Sequence, residues 1–321
     1  LLDEDHILGF DEIEVSKDDA KCKLAEKWMQ KTATDSELQV NEDDTQIHIK
    51  GREFAYTIDR RTALFTEMKF AGREYLNHPM ELNIWRAPTD NDMYIKAEWK
   101  KAHYDKAYTR AYTTEVVQGK HGVKIVSHAS VVAETVQKIL DVTITWKIDA
   151  SGKIDADIEA TKDGEFPDLP RFGVRMFLDK KLSDARYFGM GPQESYRDKH
   201  QAASHGLYRA NVRDLHEDYI RPQENGSHYD CGYVELNNSR YGMAAFSEST
   251  FSFNASYYTQ EELEKKTHNY ELAESDSVVL CVDYALNGIG SNSCGPVVLD
   301  QYRFNDVLFR FQFTLVPYVK G

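Results

Sequence analysis

The stretch Val307-Leu-Phe-Arg-Phe-Gln-Phe-Thr-Leu-Val-Pro317 decides the fold class. Its apolar residues Phe309, Phe311, Phe313 and Leu315 recur at every second position, with Arg310, Gln312 and Thr314 between them, and Leu308 and Val316 extend the run. A period of two places one set of side chains on one face of an extended strand. The same texture runs upstream through Gln46–Lys50, Glu53–Asp59, Ala63–Leu76, the segment from Glu81, Thr114–Gln118, Val123–Ala133 and Thr135–Ile148. It continues through Ile154–Ala160, Gly173–Leu178, Cys231–Asn237, Tyr241–Ser247, Phe251–Tyr257 and Val278–Ala285. Turn chemistry at Ala150-Ser-Gly-Lys153 and Asp163-Gly164 predicts hairpins.

Helical signals are few. Tyr94–Tyr104 is amphipathic through Ile95, Trp99 and Ala102, and Thr259–Thr267 opens on a Thr259 cap with Glu262 three residues on. A helix-like patch covers Lys21–Gln30. Strands do not alternate with helices, so a parallel α/β sheet is not expected. The predicted class is all-β, a large antiparallel two-sheet sandwich with one or two short helices. Ile7, Leu8, Phe10, Ile13 and Val15 read as one strand, and the polar residues 16–44 read as a linker after it. The chain opens on Leu1 with strand texture, as a piece of a longer polypeptide would.

A net charge of −14 over 321 residues argues against nucleic-acid and anionic-membrane partners, which need a concentrated basic surface. It suits neutral ligands. The cysteines Cys22, Cys231, Cys281 and Cys294 form no C-x-x-C pair and have no His at ligand spacing, so no metal site is expected. Scattered thiols point to a reducing, cytoplasmic compartment.

Three polar stretches could carry chemistry. Arg86-Ala-Pro-Thr-Asp-Asn-Asp92 offers two carboxylates and an amide to sugar hydroxyls, or caps for the helix near Tyr94. Arg186–Gly232 repeats Pro-Gln-Glu at 192–194 and 222–224 and holds His200, His205 and His216. Glu194 and Glu224 are there as a candidate carboxylate pair, and the competing reading is a corner network tying loops to a sheet edge. Asn287-Gly-Ile-Gly-Ser-Asn-Ser-Cys-Gly-Pro296 lacks the last glycine and the following helix of a phosphate loop, and suits instead the wall of another molecule's pocket.

Five motifs in order carry a resemblance. Trp85-Arg-Ala-Pro-Thr-Asp-Asn-Asp92, Leu169-Pro-Arg-Phe-Gly173, Phe188-Gly-Met-Gly-Pro-Gln-Glu-Ser-Tyr196 with Asp198, Pro222-Gln-Glu-Asn-Gly226 and Gly288–Pro296 are similar to the carboxy-terminal domain of glycoside hydrolase family 2 β-galactosidases. In some bacteria the same region resembles a separate small subunit. The resemblance implies a galactose-mutarotase-like supersandwich over residues 39–321, with residues 1–38 the end of a preceding immunoglobulin-like domain plus linker. It implies that the catalytic glutamates and metal ligands of a retaining enzyme lie on an upstream barrel, leaving no catalytic residue, metal or cofactor here. The partners implied are the rest of that chain or a large catalytic subunit, a β-galactoside such as lactose, and an oligomer in the full enzyme.

The implied substrate-binding residues are Asp90, Asn91, Asp92, Tyr94, Ser293 and Cys294. Cys294 stands where familiar members place a Trp platform, and Tyr94 is the aromatic residue available to replace it. Two other readings stand beside this one: an autonomous mutarotase-like enzyme using a His and a Glu, and a purely structural or assembly module.

Overall fold

The computed structural model describes residues 9–13, 20–29 and 38–320. Its strands are β1 (Gln39–Glu42), β2 (Gln46–Lys50), β3 (Phe54–Asp59), β4 (Leu64–Phe70), β5 (Arg73–Glu74), β6 (Leu76–Asn83), β7 (Tyr108–Gln118), β8 (Gly122–Val132) and β9 (Leu140–Asp149). They continue with β10 (Ile154–Lys162), β11 (Arg171–Asp179), β12 (Asp184–Gly191), β13 (Ser204–Asn211), β14 (Ser227–Asn237), β15 (Tyr241–Ser256), β16 (Ser277–Leu286) and β17 (Leu308–Val319). Among the described residues three α-helices accompany them, α1 (Ala20–Met29), α2 (Ile95–Lys101) and α3 (Gln260–Lys265). Every paired strand is antiparallel, so the all-β class is observed.

Strands β1 to β5 form a five-stranded sheet in sequence order, and the other twelve form one large forked sheet. The fork is β15. Its first part, Tyr241–Phe246, pairs with β17, and its last part, Ser252–Ser256, pairs with β16. One branch then runs through β17, β10, β9, β8 and β7, and the other through β16, β11 and β6. The two runs read in sequence as separate strands are therefore one bent strand, exposed at Glu248–Thr250 where the direction changes.

In β17 the aromatic face behaves as its period requires, with Phe309, Phe311, Phe313 and Leu315 buried. The small sheet packs over this face. Phe65 of β4 meets Trp146 of β9 edge-on at 4.9 Å, Trp146 donates its indole N–H to the Ala63 carbonyl at 2.8 Å, and the Tyr56 hydroxyl donates to the Gly152 carbonyl at 2.7 Å. Each buried ring adds apolar burial, and its polar atom finds a partner.

Helix α1 covers the opposite face near the end of β17. Trp28 packs in a tilted contact on Tyr318, ring centroids 4.5 Å apart, and donates to the Tyr233 hydroxyl at 3.2 Å, and Ala25 packs in the same cluster as Ala244, Phe246 and Val316. The stretch read as a linker thus contains a helix docked on the sandwich, and β1 at its far end. The strand read over Ile7–Val15 is absent from residues 9–13, and its remaining positions lie outside the described residues.

Two further expectations change. Asp163-Gly164 is a turn but no hairpin, because β10 pairs with β9 and β17 while β11 pairs with β16 and β6. Helix α2 is shorter than Tyr94–Tyr104, while Thr259 caps α3 as expected, accepting from Glu262 N at 3.1 Å.

Candidate functional site

The loop after β6 is fixed by a buried ion pair. Arg86 is fully buried and grips Asp92 with two parallel hydrogen bonds, Nε to Oδ2 at 3.1 Å and Nη2 to Oδ1 at 2.7 Å. The same Asp92 Oδ2 accepts Thr89 N at 2.9 Å and Thr89 Oγ1 at 3.1 Å. Asp92 therefore caps the single 3-10 turn Asp90–Asp92, and not helix α2. Both of its oxygens accept hydrogen bonds from groups within the protein, and its side chain is 3% exposed.

Arg86 also reaches the far loop, donating to the carbonyls of Asn287 at 2.5 Å and Gly288 at 3.1 Å. Two more side chains hold that loop. Asp198 accepts Ile289 N at 2.9 Å and Gly290 N at 2.7 Å, while Asn91 donates to the Gly290 carbonyl at 2.7 Å and accepts from Ser293 Oγ at 2.8 Å and Ser293 N at 3.3 Å. Gly290 has φ of +66°, and a Cβ there would lie 2.6 Å from Val298, so glycine is required for the loop to close on these partners.

The result is an open depression of about 740 Å³, in the range of small-ligand sites. Asp90, Asn91 and Ser293 line it together with Lys199, Tyr219 and Gln223, and Val297 and Leu299 add apolar surface. Asp90 is tied to the second Pro-Gln-Glu, its N–H donating to Gln223 Oε1 at 2.9 Å and its Oδ2 accepting Gln223 Nε2 at 3.3 Å. Tyr94, 63% exposed at the start of α2, and Cys294, an exposed free thiol, are not among its lining residues. Of the six substrate-binding residues expected from the sequence, the fold brings three together at this depression. A cleft of similar size beside α1, lined by Lys27, Arg186 and Glu235, contains none of them.

Glu194 and Glu224 both reach the depression, but each is already engaged. Glu194 accepts Lys199 Nζ and Tyr219 OH on Oε1, and Gly226 N at 2.9 Å on Oε2. Glu224 lies against Arg171 at 3.3 Å, and Arg171 in turn holds Asp283 at 2.7 Å. Burial pushes the Glu224 and Asp283 carboxyls up while the Arg171 guanidinium pulls them down. Both glutamates are held by partners within the protein, so the corner-network geometry is what the fold contains. His200, His205 and His216 do not line the depression: His200 faces the Tyr196 carbonyl, His205 bridges Glu12 and Asp230, and His216 packs on Tyr258.

Sequence reasoning missed Lys199, Tyr219 and Gln223 as lining residues. The usable signal was the repeated Pro-Gln-Glu, because two rigid corners of the same composition can meet one loop from two sides. Among the described residues no three His, Cys, Asp or Glu side chains are grouped to hold a metal ion, and no helix is long and apolar enough to cross a membrane.

This architecture has known relatives. The family model described as "Beta galactosidase small chain" matches residues 50–315. The chain belongs to that family. A beta-galactosidase of Actinobacillus pleuropneumoniae is 42% identical over 98% of the chain, and one of Staphylococcus xylosus is 33% identical over 88%. The chain spans only 30% and 28% of the length of these two relatives. Among solved structures, a galactose 1-epimerase from Lactobacillus acidophilus overlays 90% of the chain and all of its own, at 9% identity and a TM-score of 0.45.

Proposed function

We propose that the chain is the carboxy-terminal portion of a retaining β-galactosidase that hydrolyses terminal β-D-galactosides such as lactose. A retaining mechanism needs two free carboxyl groups about 5 Å apart, one as nucleophile and one as acid/base. Glu194 and Glu224 do not meet that need, so the catalytic pair is assigned to the part of the relatives that this chain does not span, as a barrel domain or a large subunit.

The role of this chain is then a wall. Asp90, Asn91 and Ser293 border the galactoside pocket, exclude water from one side of it and orient the aglycone, which lowers the entropy cost of reaching the transition state. No metal or cofactor is assigned to these residues. The single observation that carries the reading is the Asn91–Ser293 hydrogen bond, which joins two family motifs 202 residues apart at one depression. Residues 1–38 are read as the end of a preceding immunoglobulin-like domain with a connecting segment that includes α1. The free thiols support a cytoplasmic setting, and the full enzyme is expected to be an oligomer.

The test is nitrophenyl-galactoside hydrolysis by the chain, by the missing amino-terminal portion, and by both together. Activity is expected only in the mixture or the joined polypeptide. Appreciable turnover by either part alone refutes the division of labour. In the active assembly, Asn91→Ala should raise KM about fivefold or more, the loss of about one hydrogen bond. Unchanged kinetics would favour a purely structural module.

A further inference from the structure

Resting on that reading, the geometry points to Lys199 and Tyr219 as the groups of this chain that bind the sugar's hydroxyls, with Glu194 as their anchor. We infer a subsite for a neutral, hydroxyl-rich ligand, a hexose or its glycoside.

Bond counting identifies the groups left free. Glu194 is 6% exposed in its side chain, and four donors converge on it: Lys199 Nζ, Tyr219 OH, Gly226 N at 2.9 Å and Tyr196 OH at 3.5 Å. Lys199 Nζ also donates to the Tyr219 oxygen at 2.9 Å. An ammonium has three N–H donors, so Lys199 keeps one to offer. A phenol oxygen has two lone pairs, so Tyr219, donating to Glu194 and accepting from Lys199, keeps one acceptor. One free donor and one free acceptor therefore sit side by side on the depression wall. Two neighbouring sugar hydroxyls, one accepting and one donating, complement that pair.

The surroundings select the ligand further. The charge of Lys199 is matched by Glu194, and Asp198 is occupied by the backbone N–H groups of Ile289 and Gly290. Asp90 is exposed, and only one of its oxygens is shared with Gln223. The local field is thus neutral to negative, which opposes a phosphorylated or carboxylated ligand. Val297 and Leu299, 68% and 62% exposed, line the same depression and offer an apolar surface to the C–H face of a sugar ring. Lys199 also lies 5.6 Å from the Tyr219 ring centroid, a cation–π contact that keeps the two heads together.

The experiment is a titration of the isotope-labelled 321-residue chain, followed by amide and side-chain resonances lining the depression. The probes are D-galactose, lactose and galacturonate. The two neutral sugars should produce saturable shifts there, and galacturonate should bind at least about tenfold more weakly. Tyr219→Phe and Lys199→Gln should each weaken galactose about three- to tenfold with an unchanged melting temperature. Glu194→Gln should also weaken galactose by releasing both heads, with a lowered melting temperature because an acceptor that is 6% exposed is lost.

No saturable shift in the depression overturns the subsite. So does binding that is unchanged in both Tyr219→Phe and Lys199→Gln, or galacturonate binding as well as galactose. This readout needs no hydrolysis. If sugar binds as expected but the two-part hydrolysis assay fails, the subsite stands and the β-galactosidase reading falls.

Discussion

Asp92→Ala tests whether the Asp90–Asp92 loop is shaped from beneath by Arg86. The guanidinium of Arg86 is fully buried and the Asp92 side chain is 3% exposed, so water cannot replace the lost partner. Removing one member of such a pair leaves a buried charge uncompensated and costs about 3–5 kcal/mol. Two further donors, Thr89 N and Thr89 Oγ1, lose their acceptor as well. Unfolding entropy near 2.1 cal/mol/K per residue, across 321 residues, is about 0.7 kcal/mol/K, so a loss of about 4 kcal/mol lowers Tm by about 6 °C.

The assay is differential scanning calorimetry of Asp92→Ala, Arg86→Met and the double variant. Arg86 also carries the Asn287 and Gly288 carbonyls, so the double variant should not return to wild-type stability, but the cycle should show a coupling of about 1–3 kcal/mol. A single-variant loss below about 1 kcal/mol, or losses that simply add, would refute the claim that the pair supports both loops.

The remaining predictions concern other parts of the fold. Trp28→Ala should cost about 3 kcal/mol and abolish hydrogen-exchange protection in α1 while leaving β11 protected, because Trp28 is the ring that seats α1 on Tyr318; unchanged protection would show that the helix is held otherwise. Gly173→Ala would place a Cβ 2.3 Å from the Val282 carbonyl oxygen and 2.4 Å from Asp283 Oδ1, and a fall of about 3 kcal/mol or more by urea titration is expected; a loss under about 1 kcal/mol would mean the strands separate easily. His228, buried between Tyr187 and Phe253, has its pKa lowered by burial to about 4, against about 6.5 unfolded. The unfolded chain then binds the extra proton between these values, so this stability is complete above about pH 6.5 and is lost as pH falls towards 4. Wild type should lose about 2 kcal/mol more than His228→Gln between about pH 7 and about pH 5, and parallel pH profiles would show that His228 does not set this dependence.

What could be read in the sequence follows from which side chains the fold buries on one face. β17 and β8–β10 alternate apolar with polar because one face meets the core, and the period of two is visible. β13 was invisible because it is an edge strand, none of whose side chains is fully buried, so it looks like a polar loop. Helix α1 was recognisable as a helix but not as a docked one, since Leu24, Ala25 and Trp28 make too thin a stripe to announce a partner. At the depression, Asn91 and Ser293 were each chosen from their own loops, but only the forked sheet, which sets β6 and β16 on either side of β11, puts the two loops together. The burial of Asp92 was not legible, because a carboxylate in an Asp-Asn-Asp run looks the same whether it faces solvent or a buried arginine.

The ion pairs themselves say why this flank differs from the rest of the sandwich. Arg86–Asp92 and Arg171–Asp283–Glu224 are buried almost completely, and apolar residues of similar volume would serve stability at least as well, since desolvating the charges offsets much of their attraction. What a guanidinium supplies that a methyl group cannot is direction. Arg86 points donors at Asp92 and at two carbonyls of the Asn287–Gly288 segment, and Arg171 joins β16 to the second Pro-Gln-Glu corner through Asp283 and Glu224. Arg86 therefore ties together the Asp90–Asp92 turn and the loop that begins at Asn287–Gly288, and Arg171 ties a core strand to the corner at Glu224; each of these three segments contributes residues that border the depression. A module needed only for assembly would gain little from fixing loop backbones in this way. The proposed wall would need Asn91 and Ser293 held at set positions, and the Arg86 cluster fixes the turn and the loop that carry them.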